Sequence, residues 1–195
     1  MIPILYTQRE NPYAIRARLA LVYAGIRFEA REVLPGQVPE ELLSLSREAC
    51  IPTLQLGPKE LLGDSLAIMH WALLDNDPEG WIDYEVDELD EMNDLIRIND
   101  QSFYKDLCCY HESPHNYQEA REPCCMFLHG LEQRLSQHRF LLSNRVSLAD
   151  FAIYPFVYLC SQVEPEWFLS SPYQQVKKWL AYHEASALHR AVMRR

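Results

Sequence analysis

The feature that most constrains this chain is a change of periodicity near residue 76. Before it, short apolar runs of strand type alternate with stretches of helical spacing; after it, only helical spacing remains. Ile2-Pro3-Ile4-Leu5-Tyr6 reads as a short buried strand. Asn11-Pro12 then opens a helix, because asparagine is a preferred N-cap and proline suits the first helical position. That helix runs through Tyr13, Ala17, Leu21 and Ala24 and stops at Gly25. Residues 27–33 read as a second strand, and 40–45, after Pro39, as a short helix. Strands over 53–56 and 60–62 meet at a Gly57-Pro58 turn, and Asp64 or Ser65 caps a helix over 66–74. The order is β-α-β-α-β-β-α. Its opening β-α-β unit implies parallel strands with a right-handed crossover.

The segment Asn76-Asp77-Pro78-Glu79-Gly80 ends that pattern. The expected division is a first domain over 1–76, a linker over 77–84 and an all-helical domain over 85–195. Residues 83–94 carry seven carboxylates, with Val86, Leu89, Met92, Leu95 and Ile96 spaced for one helical face. The charges are then the solvated side of that helix rather than a cation site. Further helices are expected over 117–137, 148–162, 172–185 and from 187 onward.

Composition excludes several functions. Eighteen basic against twenty-eight acidic residues leave a net charge of −10, a poor surface for nucleic-acid phosphates or anionic membranes. The six glycines form neither G-x-G nor a P-loop, so the Gly-rich phosphate cradles are absent. No apolar run is long enough to span a bilayer, and the opening MIPILYTQRE lacks a basic leader with a cleavage pattern. Six cysteines that include two adjacent pairs suit reduced thiols better than a disulfide framework. A cytoplasmic protein is expected.

Four local segments bear on function. They are Asn11-Pro12-Tyr13-Ala14-Ile15-Arg16-Ala17-Arg18, Ile51-Pro52-Thr53-Leu54, Asp64-Ser65-Leu66-Ala67-Ile68 and Ser147-Leu148-Ala149-Asp150. Together with the order of elements they resemble the glutathione transferase family. The first is similar to the C-P-[FY]-x-x-[RK]-x-R opening of its omega-like branch. The others are similar to its V-P-x-L, [ED]-S-x-A-I and S-x-A-D segments. The resemblance implies a thioredoxin-like domain followed by an all-α domain, the glutathione-transferase fold.

It also implies roles. Pro52 would follow a cis bond, and the backbone of Ile51 would pair with the cysteinyl part of glutathione as an added strand does. Read without the family, Ile51-Pro52 is simply a proline at a strand start. Ser65 would hold the γ-glutamyl carboxylate at a helix N-terminus, with Asp64 near its ammonium; a plain helix cap is the other reading. Ser147 and Asp150 form a capping box, structural in either case. Arg16 and Arg18 are read as braces at the domain interface.

The departure lies at Asn11, where the omega-like pattern has its cysteine. A carboxamide forms no thiolate, so thiol–disulfide exchange through that position is excluded. Conjugation remains, because glutathione supplies the sulfur. Asn11 either donates its N–H₂ to that thiolate or merely caps its own helix. Tyr6 and Thr7, at the end of the first strand, are reserve donors. Tyr13, Tyr104 and Tyr110 are expected to line a pocket for a small hydrophobic electrophile, although aromatics so spaced also suit a core. Cys108, Cys109, His111, His115, Cys124, Cys125 and His129 are zinc-ligand types, but lack a C-x₂-C pair, and Pro114 interrupts the one H-x₃-H. No metal is expected, and buried thiols are the better account of the cysteines. The resemblance further implies a homodimer. Alternatives from other classes are a catalytically silent transferase-fold binding module of the stringent-starvation-protein type and a glutathione-dependent isomerase or lyase.

Overall fold

The structure, a computed structural model, describes residues 2–45, 50–113 and 115–193. Its first strand, β1 (Ile4–Thr7), is the inner member of a four-stranded sheet ordered β2-β1-β3-β4. It pairs in parallel with β2 (Glu29–Glu32), Leu5 opposite Ala30, and antiparallel with β3 (Thr53–Gln55), Leu5 opposite Leu54. Antiparallel β4 (Leu61–Leu62) closes the edge. Between β1 and β2 runs α1 (Pro12–Tyr23), with Asn11 as N-cap and Pro12 as its first residue. Gly25, at φ +72°, ends it. The Gly25 and Ile26 N–H groups return to the Val22 and Leu21 carbonyls, the paired bonds of a Schellman stop. Short α2 (Glu40–Leu45) contributes buried Leu42 to a core cluster with Tyr6 and Val33. Helix α3 (Ser65–Asp75) follows β4 and packs against α1.

The β-α-β-α-β-β-α order is therefore as expected, and a helical region follows it. That region holds α4 (Val86–Ile98), a π-helical segment (Asn99–Phe103), α5 (Tyr104–His111) and α6 (Tyr117–Gln137). Next come α7 (Leu148–Val163), α8 (Pro165–Ser170), α9 (Gln174–Glu184) and α10 (Ala187–Met193). The acidic helix starts at Val86, later than its charge run, under a capping box from Glu85 and Glu88. Met92, Leu95 and Ile96 are buried as expected, but Val86 is exposed.

Two compact units result: Met1–Pro78 with Ala187–Arg195, and Glu79–Ser186. The last helix thus belongs to the first unit, where it packs on α1 and buries Val192. The second unit is tied together by Asp150. Its carboxylate accepts from the Leu141 N–H (3.0 Å), the Ser147 N–H and hydroxyl (2.9 and 2.7 Å) and the Trp179 indole (2.8 Å). The capping box of α7 is structural, as its sequence suggests. No helix among the described residues is long and apolar enough to cross a membrane.

Candidate functional site

The bond between Ile51 and Pro52 is cis. Ile51 stands just before β3, half-buried, and neither its N–H nor its C=O has a backbone partner among the described residues. A peptide lying alongside would find both groups open. The neighbouring Cys50 is tied down: its thiol donates to the Gly63 carbonyl, and its own carbonyl accepts from the Thr53 hydroxyl at 2.6 Å. A Cβ at Gly63 would come within 3.3 Å of that sulfur, so glycine permits the approach. Cys50 therefore links the strand entrance at Pro52 to the turn before α3, a link that no sequence spacing marks.

At that turn Asp64 caps α3, its Oδ1 accepting from the Ala67 N–H at 2.8 Å. The Ser65 and Leu66 N–H groups have no partner among the described residues, which leaves an open helix start for an anion. Ser65 is nearly buried, and its Oγ accepts from Arg16 Nε at 2.9 Å. Arg16, 1% exposed on α1, also lies over the Tyr13 ring at 4.8 Å. The Arg16–Ser65 bond ties α1 to α3 within the first unit. A buried cation beside an open helix N-terminus strengthens the local pull on a carboxylate. Sequence reasoning missed this role because 49 residues separate the partners.

Asn11 performs the capping duty: its Oδ1 accepts from the Ala14 N–H at 3.1 Å. That leaves the carboxamide nitrogen without a protein partner among the described residues, on a half-buried side chain. Capping and donation are thus compatible, since they use opposite ends of one amide. The loop before it is held by three bonds. The Asn11 N–H donates to Gln8 (3.3 Å), the Arg9 N–H to Glu32 (2.7 Å), and Arg18 to the Arg9 carbonyl (2.7 Å). Burial lowers the pKa of Arg18.

Tyr6 points elsewhere. Alternation along β1 turns it from the side of Leu5 and Thr7 toward α2. Its hydroxyl donates to Glu41 at 3.1 Å and accepts from Arg31 at 3.3 Å. Burial first, then the Glu41 carboxylate, push the phenol's pKa up, so it stays protonated. Thr7 is 1% exposed, and its hydroxyl is sealed without a partner among the described residues.

Of the aromatic residues expected around an electrophile, Tyr13 and Tyr104 keep part of their surface exposed. Tyr104 meets Phe156 edge-on at 5.6 Å, and its pKa is pushed up to about 12 by burial and by Cys108. Tyr110 is fully buried and donates to Glu164 at 2.6 Å, a carboxylate that Arg121 also holds at 2.7 Å. It serves the core of the helical unit. Among the described residues no three His, Cys, Asp or Glu side chains are grouped to hold a metal. Pro114, which bears on the zinc reading, lies outside the described residues.

Two family profiles match the chain: "Glutathione S-transferase, N-terminal domain" over residues 5–80 and "Glutathione S-transferase, C-terminal domain" over residues 117–181. The chain belongs to the glutathione S-transferase family. Solved structures share the fold at low identity. A glutathione S-transferase-I bound with lactoylglutathione is 21% identical, with TM-score 0.82 and 99% of each chain covered. The unclassified glutathione S-transferase 2 of Bombyx mori is 19% identical, with TM-score 0.82, covering 100% of this chain and 94% of its own. A glutathione S-transferase from Rhodospirillum rubrum is 17% identical, with TM-score 0.83, covering 100% and 93%. No curated protein matches the sequence significantly. The N-terminal match covers both the cis bond before Pro52 and Ser65 at the start of α3.

Proposed function

We propose that this glutathione-transferase-like protein binds glutathione in its first unit and conjugates the thiol to a small apolar electrophile. The observation that carries the reading is Ser65, at the open start of α3 with buried Arg16 bonded to its hydroxyl. The γ-glutamyl carboxylate takes the Ser65 N–H and hydroxyl, and Asp64 faces the ammonium. The cysteinyl backbone pairs with the N–H and C=O of Ile51 before Pro52.

The sulfur then needs ionising. A free thiol has a pKa near about 8.5, so only about 3% is thiolate at neutral pH. Donation from the Asn11 carboxamide, beside the N-terminus of α1, favours the charged form. The thiol proton leaves to solvent. The sulfur's lone pair forms the carbon–sulfur bond, and the electrophile's leaving group departs with the electrons of its broken bond. No protein thiol takes part. Tyr6, engaged with Glu41 and Arg31, and Thr7, sealed in the sheet, leave Asn11 as the donor. Tyr13 and Tyr104 supply aromatic surface for the electrophile, while Tyr110 supports the helices.

Conjugation of an aryl halide by wild type and Asn11→Ala tests the mechanism. The account expects turnover to fall about tenfold or more in the variant, with glutathione affinity retained. Turnover that survives unchanged removes Asn11 from the chemistry.

A second reading, a catalytically silent binding module, draws on the Asn11 oxygen already capping α1. It predicts no turnover in the wild type. The reading extends to a cytoplasmic homodimer; six free cysteines suit a reducing compartment.

A further inference from the structure

We propose that Arg18 is a positioning residue for the conjugation, acting through the turn that leads into Asn11. The inference rests on the reading of Asn11 as the donor to the glutathione sulfur. Residues 8–11 form a turn closed by the bond from the Asn11 N–H to the Gln8 carbonyl. The direction of the Asn11 carboxamide therefore depends on how firmly that turn is held.

The turn is gripped at Arg9 by two charges of opposite sign. Strand register brings the first: Thr7, the last residue of β1, lies opposite Glu32, the last of β2. The Glu32 carboxylate accepts from the Arg9 N–H at 2.7 Å. Helical periodicity brings the second. Arg18 stands seven residues after Asn11, close to two turns, and so shares its face of α1. Long helical side chains lean toward the N-terminus, and the Arg18 guanidinium reaches back to the Arg9 carbonyl at 2.7 Å. Both backbone polar groups of Arg9 thus end on charged side chains, and such bonds are stronger than neutral ones.

Stability alone does not explain an arginine here. Arg18 is 8% exposed, its guanidinium bonds a carbonyl rather than a carboxylate, and its Nε is sealed without a partner among the described residues. Burial works against its charge, and the Glu32 carboxylate offsets only part of that. An apolar side chain of similar length would avoid these costs but release the Arg9 carbonyl. Two residues on, the Asn11 amide has its oxygen fixed on the Ala14 N–H while its nitrogen must meet a sulfur. A displacement of about 1 Å there is enough to lower the rate by a large factor. Arg18, Glu32 and Asn11 all lie in the first unit.

Aryl halide conjugation, together with the ionisation of bound glutathione followed by thiolate absorbance, tests the proposal in wild type, Arg18→Met, Asn11→Ala and the double variant. Arg18→Met should lower kcat about three- to tenfold and move the bound thiol's pKa toward its free value, with glutathione affinity within about twofold of wild type. In the Asn11→Ala background the same change should lower kcat by less than about 1.5-fold, because the group it positions is gone. Glu32 is exposed, so its variants leave the core intact. Glu32→Ala should act in the same direction, and Glu32→Gln, which keeps an acceptor for the Arg9 N–H, should recover most of kcat. If Arg18→Met fails to fold, the Glu32 variants with and without Asn11→Ala decide the matter. Equal fractional losses with and without Asn11, or an unchanged kcat and thiol pKa, would overturn the inference and leave conjugation through Asn11 standing. A wild type that shows neither turnover nor an ionised bound thiol would instead refute the Asn11 reading, and this inference with it.

Discussion

Replacing Ser65 by alanine separates a binding role from a structural one, because its hydroxyl has two distinct duties. It accepts the 2.9 Å bond from Arg16, and its own proton is left to donate to a ligand carboxylate. A hydrogen bond to a charged group contributes about 1.5–3 kcal/mol, so losing it should weaken glutathione about 10- to 150-fold. The same change strands a donor of Arg16, which is 1% exposed and cannot turn to water. An unsatisfied buried donor costs about 1–3 kcal/mol. For a chain of this size that lowers Tm by about 2–12 °C. Calorimetric titration with glutathione and thermal unfolding read the two effects separately. Ser65→Thr keeps a hydroxyl and should recover much of both losses. If Ser65→Ala loses stability while its affinity for glutathione stays within about twofold, the hydroxyl only braces α1 against α3, and the binding argument built on it fails.

Three further outcomes follow from the same contacts. Asp150→Ala removes the acceptor for two backbone N–H groups and the Trp179 indole, all inside the helical unit. It should cost about 3–6 kcal/mol by urea unfolding; a loss under about 1 kcal/mol would contradict the role given to this carboxylate. Glu41 is held below its ordinary value of 4.5, first by the Arg31 hydrogen bond and then by Tyr6. A depressed carboxyl stabilises the fold above its unfolded pKa, and that stabilisation is lost as pH falls through the folded value. The stability gap between wild type and Glu41→Gln should therefore shrink from about pH 7 to about pH 3; a constant gap would refute the pairing. Sedimentation should give a dimer at micromolar concentration, and a monomer there would remove the oligomeric part of the proposal.

Much of the first unit is legible in the sequence because its signals are local. Asn11-Pro12 announces a helix start and Gly25 its end, and the structure supplies the capping bond and the positive φ those residues allow. The cis bond at Ile51-Pro52 follows from resemblance to the family and not from any local rule. What escaped the reading depends on contacts distant in sequence. The bond from Arg16 to Ser65 joins α1 to α3 across 49 residues of sequence. Tyr6 looked available until α2 covered it with Glu41. Helix α10 follows the helical stretch in sequence yet packs with the first unit, which no contiguous division of the chain anticipates. The π-helical segment at Asn99–Phe103 likewise has no periodic signature, since one widened turn leaves the flanking apolar spacing nearly intact.

The most direct measurement is a crystal structure of the protein soaked with glutathione. The account predicts the γ-glutamyl carboxylate on the Ser65 N–H and hydroxyl, the cysteinyl backbone paired with Ile51, and the sulfur within hydrogen-bond reach of the Asn11 carboxamide. Clear density for the tripeptide at any other place, or none at concentrations that saturate transferases of this family, would contradict it.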